Sequence, residues 1–180
     1  TFVGVAITAN AATAAQGKWQ WLNGSTWTDI STSLSDTGAL YLTTGTSVRF
    51  MPSANYNGTP GTLTARLVDS SATGLINGTA YNVSTNGGST AYSSATVSLS
   101  TSITAVNDAP VASGSTTLAE VLEDTVAPAG SLVSTLFGSN FSDSTDAVTN
   151  GSVANTFVGV AITANAATAA QGKWQWLNGS

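Results

Sequence analysis

The chain has 180 residues, 42% of them hydrophobic and only 7% charged, with nine Asp and Glu against four Lys and Arg and a formal net charge of −5. This composition excludes a disordered polyelectrolyte and offers no basic patch to nucleic acid or an anionic membrane surface, so neither is expected as a partner. There is no cysteine for disulfide stapling, no histidine for general-base or zinc chemistry, and no apolar run near the roughly 20 residues of a membrane helix, so no membrane insertion is expected.

Period-2 alternation and β-branched residues dominate from the start. Residues 1–8 (TFVGVAIT) read as a strand, and the Ala-rich residues 9–15 as a short helical turn or a loose connection. Residues 17–22 and 26–30 read as a hairpin across Asn23-Gly24, a dipeptide that favours the left-handed backbone of tight hairpin turns. Residues 39–43 and 47–51 are the next strands, the second ended by Pro52. After the turn cluster 55–61 (NYNGTPG), residues 62–69 alternate Leu63, Ala65 and Leu67 on one face against Thr62, Thr64, Arg66 and Val68 on the other. A loop with Asn77-Gly78 and Asn86-Gly87 precedes a long strand expected over 91–106.

The texture changes after Val106. Pro110 breaks ladder bonding within 107–112 (NDAPVA), which makes this segment the best domain boundary. Beyond it, 116–122 reads as a strand, Glu123-Asp124 as an acidic pair, 132–141 as room for one helical turn, and 142–146 (SDSTD) as an acid-bearing loop. Residues 156–163 then repeat TFVGVAIT and carry the same expectation of a strand.

That recurrence extends further. Residues 156–180 duplicate 1–25 letter for letter, at a period of 155 residues. Such self-similarity marks a tandem array, and the period is domain-sized, well above that of solenoid rungs. Regular short strands with turns between them predict an all-β sandwich. With the boundary at Asn107, residues 1–106 are the C-terminal part of one repeat and 107–180 the N-terminal part of the next.

Several stretches resemble one family. The joint AVNDAPV (residues 105–111), the LEDT acid pair (122–125), the FSDSTD loop (141–146) and the strand RFMPSANYNGTPGTLTARLVDSS (49–71) are similar to the VNDAP-type, dystroglycan-type cadherin-like tandem repeats of giant bacterial surface adhesins. The resemblance covers most of the period, and VNDAP is its most specific element. It implies a Greek-key, Ig-like/cadherin-like β-sandwich of about seven strands, an extracellular or cell-surface location, and a spacer or adhesive role. It also implies calcium at domain junctions, held by Asp69, Asn107, Asp108, Glu123, Asp124, Asp143 and Asp146. The first Asp and last Asn of the related DxNDN motif are Ala105 and Ala109 here, so two family ligands are missing. Charge supports an ion independently: six of the nine acids lie within 108–146, and no Lys or Arg stands between Arg66 and Lys173 to offset their repulsion. The alternative is a solvated acidic loop whose carboxylates bond local amides.

The tryptophans allow two uses. Trp19 and Trp21 share one face of their strand, and Trp27 across the turn can pair with them. Exposed, the three would form a platform for glycans and make the chain a carbohydrate-binding module; buried, they would be the core of a sandwich. GSTW (residues 24–27) is similar to the end of the sialidase Asp-box hairpin, with Gln20 and Leu22 at its Ser and Asp positions. Seven N-x-S/T sequons (Asn23, Asn57, Asn77, Asn82, Asn140, Asn150, Asn178) read either as glycosylation sites or, since most contain Asn-Gly, as turns. No nucleophile stands beside a tuned base, and adjacent Glu123 and Asp124 would point to opposite faces of a strand, so no enzymatic activity is expected. The expected partners are neighbouring copies of the repeat, in cis or in trans by segment complementation, which would build an open filament.

Overall fold

The computed structural model describes residues 1–177; the sequon at Asn178 lies outside them. The chain divides into two compact units, one of Thr1–Asp108 with Ser144–Ala154, the other of Ala109–Asp143 with Asn155–Ser180. The first unit is an antiparallel β-sandwich, built from β1 (Phe2–Asn10), β2 (Gly17–Asn23), β3 (Thr26–Asp29), β4 (Ala39–Thr43), β5 (Val48–Pro52), β6 (Leu63–Asp69), β7 (Ala80–Tyr81) and β8 (Val97–Leu99). A five-stranded sheet runs β7-β4-β1-β6-β8 and a three-stranded sheet runs β3-β2-β5. The first 23 residues thus supply the central strand of both sheets.

Strand alternation explains where the core sits. In β4, Leu40 and Leu42 point into a cluster with Ile7, Leu63, Trp19, Trp21 and Ile30, which joins the two sheets. Ala39 and Tyr41 point the other way, into a second cluster with Ala6, Val68 and Val83. Ala72, Leu75, Tyr81 and Tyr92 cover that second face, so the large sheet is buried on both sides. Register shifts at Phe2/Gly4 and Ile7/Ala9 mark bulges in β1 and turn Val3 toward the second cluster. All the buried apolar side chains among the described residues lie between Ala6 and Val83.

Two glycines are dictated by geometry. The β2–β3 hairpin pairs Asn23 with Thr26, so its two-residue loop is Gly24-Ser25. Gly24 has φ +62° and Ser25 is not in the left-handed region, the pattern of a turn needing glycine at its first central position. Asn23 is therefore the last residue of β2 and not part of the loop. At Gly78, φ is +78° and a Cβ would run into the Trp21 ring, so any side chain there would displace a core tryptophan.

In β6 the expected alternation holds: Leu63 and Ala65 pack into the cluster between the sheets, while Arg66 and Val68 are buried on the other face and Leu67 is exposed. Three expectations are corrected. The strand expected over 91–106 shrinks to Val97–Leu99, with single bridges Val68–Tyr92 and Gly58–Ile103 on either side. The carbonyls of Ser93 and Ser94 instead accept from Arg66 Nη1 at 3.0 and 2.6 Å, and the Ser93 hydroxyl donates to the Ala95 carbonyl. Residues 116–122 form no strand, since no ladder partner is brought to them. Residues 156–163 form none either, although they are identical to the first eight residues, most of which lie in β1.

The second unit is small. Strands β9 (Val111–Ala112) and β10 (Phe141–Ser142) pair antiparallel, and the expected helical turn is α1 (Val133–Phe137), continued by a 3₁₀ turn over Gly138–Asn140. Phe141 meets Phe157 edge-to-face at 5.7 Å, and Asn140 Nδ2 donates to the Ser113 carbonyl at 2.6 Å. No apolar side chain of this unit is buried among the described residues.

Candidate functional site

The acid-bearing residues fall into separate environments. Asp69 closes β6 and is exposed; its Oδ1 accepts from the Ser71 amide at 2.8 Å and hydroxyl at 2.6 Å, an Asx turn. The Ser71 hydroxyl, then its amide, hold the Asp69 carboxyl below the ordinary value of 3.8. Glu123 and Asp124 are exposed on a turn in which the Thr125 hydroxyl donates to the Leu122 carbonyl at 2.6 Å. Asp124 adopts φ +63° there.

Two expected ligands do meet. In the first unit, the Asp108 amide donates to Asp146 Oδ1 at 3.0 Å, tying the Pro-containing joint to the acidic loop across 38 residues. Asp146 is buried at the end of a 3₁₀ turn (Ser144–Asp146). Asn107 lies beside them, its Nδ2 donating to the Asp108 carbonyl at 2.9 Å. In the second unit, Asp143 is buried: Oδ2 accepts from the Asn155 amide at 2.6 Å, whereas Oδ1 has no hydrogen-bond partner. Among the described residues, no three Asp or Glu side chains gather closely enough to form a metal cluster by themselves.

A latch that the sequence did not suggest organises the first unit. Asn57, buried in the turn cluster after β5, donates from Nδ2 to Ser152 Oγ at 2.9 Å and accepts from the Ser152 amide at 2.6 Å. The Ser152 hydroxyl passes the chain of bonds on to the Asp146 carbonyl. The Val148 amide donates to the Ser152 carbonyl at 3.0 Å and the Gly151 amide to the Val148 carbonyl at 2.9 Å, closing the turn at Asn150-Gly151. Residues Ser144–Ala154 are thereby fastened to a sandwich that ended some 40 residues earlier. The only trace of this in the sequence is the pair of Asn-Gly dipeptides at Asn57 and Asn150, which signal turns and not each other. Burial and the bonds at both Nδ2 and Oδ1 also make Asn57 a poor acceptor for a glycan in the folded unit.

The same segment walls a shallow cleft of about 470 Å³, lined by Gln16, Asn55, Tyr56, Thr145, Thr149, Asn150 and small apolar residues. No Asp, Glu, Lys or Arg lines it.

A second polar device, Arg66 with Asp36, was also missed. Arg66 Nε and Nη2 reach Asp36 Oδ1 and Oδ2, each at 2.9 Å, a bidentate pair that leaves Nη1 for the Ser93 and Ser94 carbonyls. The Arg66 hydrogen bond, backed by its charge, holds the Asp36 carboxyl below its ordinary 3.8 against the opposing effect of burial.

The tryptophans do not form one platform. Trp19 and Trp21 are core residues, the first donating from Nε1 to the Gly61 carbonyl at 2.8 Å and meeting Phe50 edge-to-face at 5.2 Å. Trp27 pairs with Leu22, which places it on the opposite face of the hairpin from Trp21. There the Arg49 guanidinium lies 4.1 Å from its ring centre. Gln20 accepts from Arg49 Nε at 2.9 Å and donates to Asp29 at 2.7 Å, and Lys18 meets Asp29 at 2.6 Å. Gln20, then Lys18, keep the Asp29 carboxyl below its ordinary value.

No helix among the described residues is long and apolar enough to cross a membrane. No protein-family model matches the sequence, and neither the curated proteins nor the solved structures contain a match.

Proposed function

We propose that the chain is a structural tandem repeat of an extracellular adhesin or filament, a spacer whose work is mechanical reach. The observation that carries this is the letter-for-letter return of residues 1–25, which in the first copy supply the central strand of both sheets of a sandwich. A segment that essential, repeated at a domain-sized period, marks a bead that is made again and again. The latch from Asn57 to Ser152 supports the same role, because it fastens chain beyond the joint back onto the body and shortens the slack before the next copy. The cleft lacks charged groups, and Trp27, the half-buried aromatic on the other face of the hairpin, is already covered by Arg49.

Calcium is the ion this role calls for, a hard cation taking carboxylate and carbonyl oxygens. Asp143 fits it best, since its buried Oδ1 lacks a partner. Asp146 already accepts from the Asp108 amide, and Asp69 from Ser71, so each would bring fewer open lone pairs. Glu123 and Asp124 are exposed and free to swing. A bound divalent ion would neutralise repulsion among the acids of the joint and stiffen the link between beads.

Small-angle scattering on arrays of one to four periods tests the spacer role. A maximum dimension that grows in equal steps with each period is expected. Particles that grow only as compact globules would refute it.

A further inference from the structure

Five Asn-Gly dipeptides lie among the described residues, at Asn23, Asn57, Asn77, Asn86 and Asn150. Such a pair can cyclise on itself: the glycine nitrogen attacks the Asn side-chain carbonyl, and no Cβ on the glycine hinders the approach. The attack needs a glycine N–H that is free to ionise. In four of the five that N–H is engaged, Gly58 donating to the Ile103 carbonyl, Gly78 to that of Tyr41 and Gly87 to that of Tyr92, each at 2.8 Å, and Gly151 to that of Val148 at 2.9 Å. A donor bonded to a neutral carbonyl is held in its protonated form. Three of these asparagines are tethered as well. Asn57 uses both ends of its amide on Ser152, Asn77 Oδ1 accepts from the Thr43 amide at 3.0 Å and the Thr46 hydroxyl at 2.8 Å, and Asn86 Nδ2 donates to the Val83 and Ser84 carbonyls, both at 3.1 Å.

Asn23 differs on each count. A two-residue hairpin loop bonds its flanking pair, here Asn23 and Thr26, and leaves its central amides to solvent. The Gly24 amide accordingly has no hydrogen-bond partner, nor has the Asn23 side chain, and both residues are exposed. No atom lies within 4 Å of the place a Gly24 Cβ would take, so the turn has room for the ring and for the water that opens it. Asn150 is exposed too, and its side chain is untethered; the bond at Gly151 is what separates it from Asn23.

We propose that Asn23 is a self-modification site, the one Asn-Gly dipeptide among the described residues that converts while the protein stays folded. Water is the sole co-reactant. The Gly24 nitrogen attacks Asn23 Cγ, the N–Cγ bond forms, the Cγ–Nδ2 bond breaks, and ammonia leaves with the proton lost from the Gly24 amide. Water then opens the succinimide ring at Cγ, which restores the main chain and gives aspartate, or at the Asn23 backbone carbonyl, which gives an isoaspartyl link; no electrons change hands. Either product puts a negative charge at the end of β2. The isoaspartyl product also inserts a methylene into the main chain at a loop closed by the Asn23–Thr26 pair, and so disturbs the hairpin. The dipeptide returns at positions 178–179, so the site travels with the repeat. The inference rests on the hairpin and is independent of the spacer role.

Ageing the intact chain tests it. The protein is held at mildly alkaline pH, where hydroxide ionises more of the free amide, both folded, as checked by circular dichroism, and in denaturant. Tryptic digestion isolates residues 19–49, in which Asn23 is the only asparagine, and tandem mass spectrometry reads the step from amide to acid at each dipeptide. In denaturant all five should convert at comparable rates. In the folded chain Asn23 should keep its denatured rate to within about twofold, having no bond to open, and the 19–49 peptide should split into aspartyl and isoaspartyl forms of equal mass. The other four should slow by about fivefold or more, because each must first open at least one backbone hydrogen bond. The proposal is overturned if folding slows Asn23 as much as the other four, or if any of those four keeps its denatured rate in the folded chain.

Discussion

Replacing Asn57 by Ala removes both bonds of the latch, the 2.9 Å donation to Ser152 Oγ and the 2.6 Å acceptance from the Ser152 amide. At a net worth of about 1 kcal/mol each, the two hold Ser144–Ala154 in place by about 2 kcal/mol, or roughly a 30-fold factor in the local opening equilibrium. The sandwich core ends at Val83 and is untouched, so the loss falls on local opening and barely on the global transition. Amide hydrogen exchange by NMR reads it directly. The Val148 and Gly151 amides, bonded to the Ser152 and Val148 carbonyls and never to Asn57, should exchange about 30-fold faster in Asn57→Ala. Asn82→Ala, which disrupts only a local turn with Ser84, should leave them unchanged. Exchange at Val148 and Gly151 within threefold of the parent in Asn57→Ala would refute the latch.

Other outcomes follow from the same contacts. Leu42→Ala empties a fully buried position between the two sheets and should lower stability by about 3 kcal/mol in denaturant titration, with an unchanged slope. The Asp36 carboxyl has its folded pKa depressed by Arg66, so its contribution is complete above the ordinary carboxylate range and fades as pH falls through and below 3.8. Stability measured against pH should therefore decline in that window, and Asp36→Asn should flatten the decline while lowering the plateau above it. Millimolar calcium should raise the melting temperature by several degrees, and Asp143→Asn should abolish most of that rise; an unchanged rise would remove Asp143 from the ligand set.

Six of the strands, β1 to β6, were legible within one or two residues, because each combines period-2 alternation with a turn residue at its end. The same rule failed for 156–163, which carry identical letters. A strand needs a neighbour to complete its ladder, and that condition is not written in the strand itself. The turn in which the Gln16 and Gly17 amides donate to the Thr13 carbonyl returns at Thr168 with Gln171 and Gly172 and makes the contrast plain, since bonds spanning three or four residues recur wherever the residues do. The unread site features are all long-range. Arg66 finds Asp36 across 30 residues and Asn57 finds Ser152 across 95, and neither pairing leaves a mark in local sequence. For the tryptophans, alternation correctly put Trp19 and Trp21 on one face, but the extra reach of β2 to Asn23 set Trp27 opposite Leu22 and hence on the other. Of the seven expected ligands, the structure brings Asp108 to Asp146 and leaves Asp143 with an open buried oxygen, because the joint and the acidic loop meet through backbone amides that composition does not reveal.

Stretching a tandem array of this sequence in a single-molecule force experiment tests the central claim most directly. If each 155-residue period is one mechanical bead, the trace will show evenly spaced unfolding events, each releasing on the order of 500 Å of chain at up to about 3.6 Å per residue. Smooth extension without force peaks, or steps of irregular and much shorter length, would contradict it.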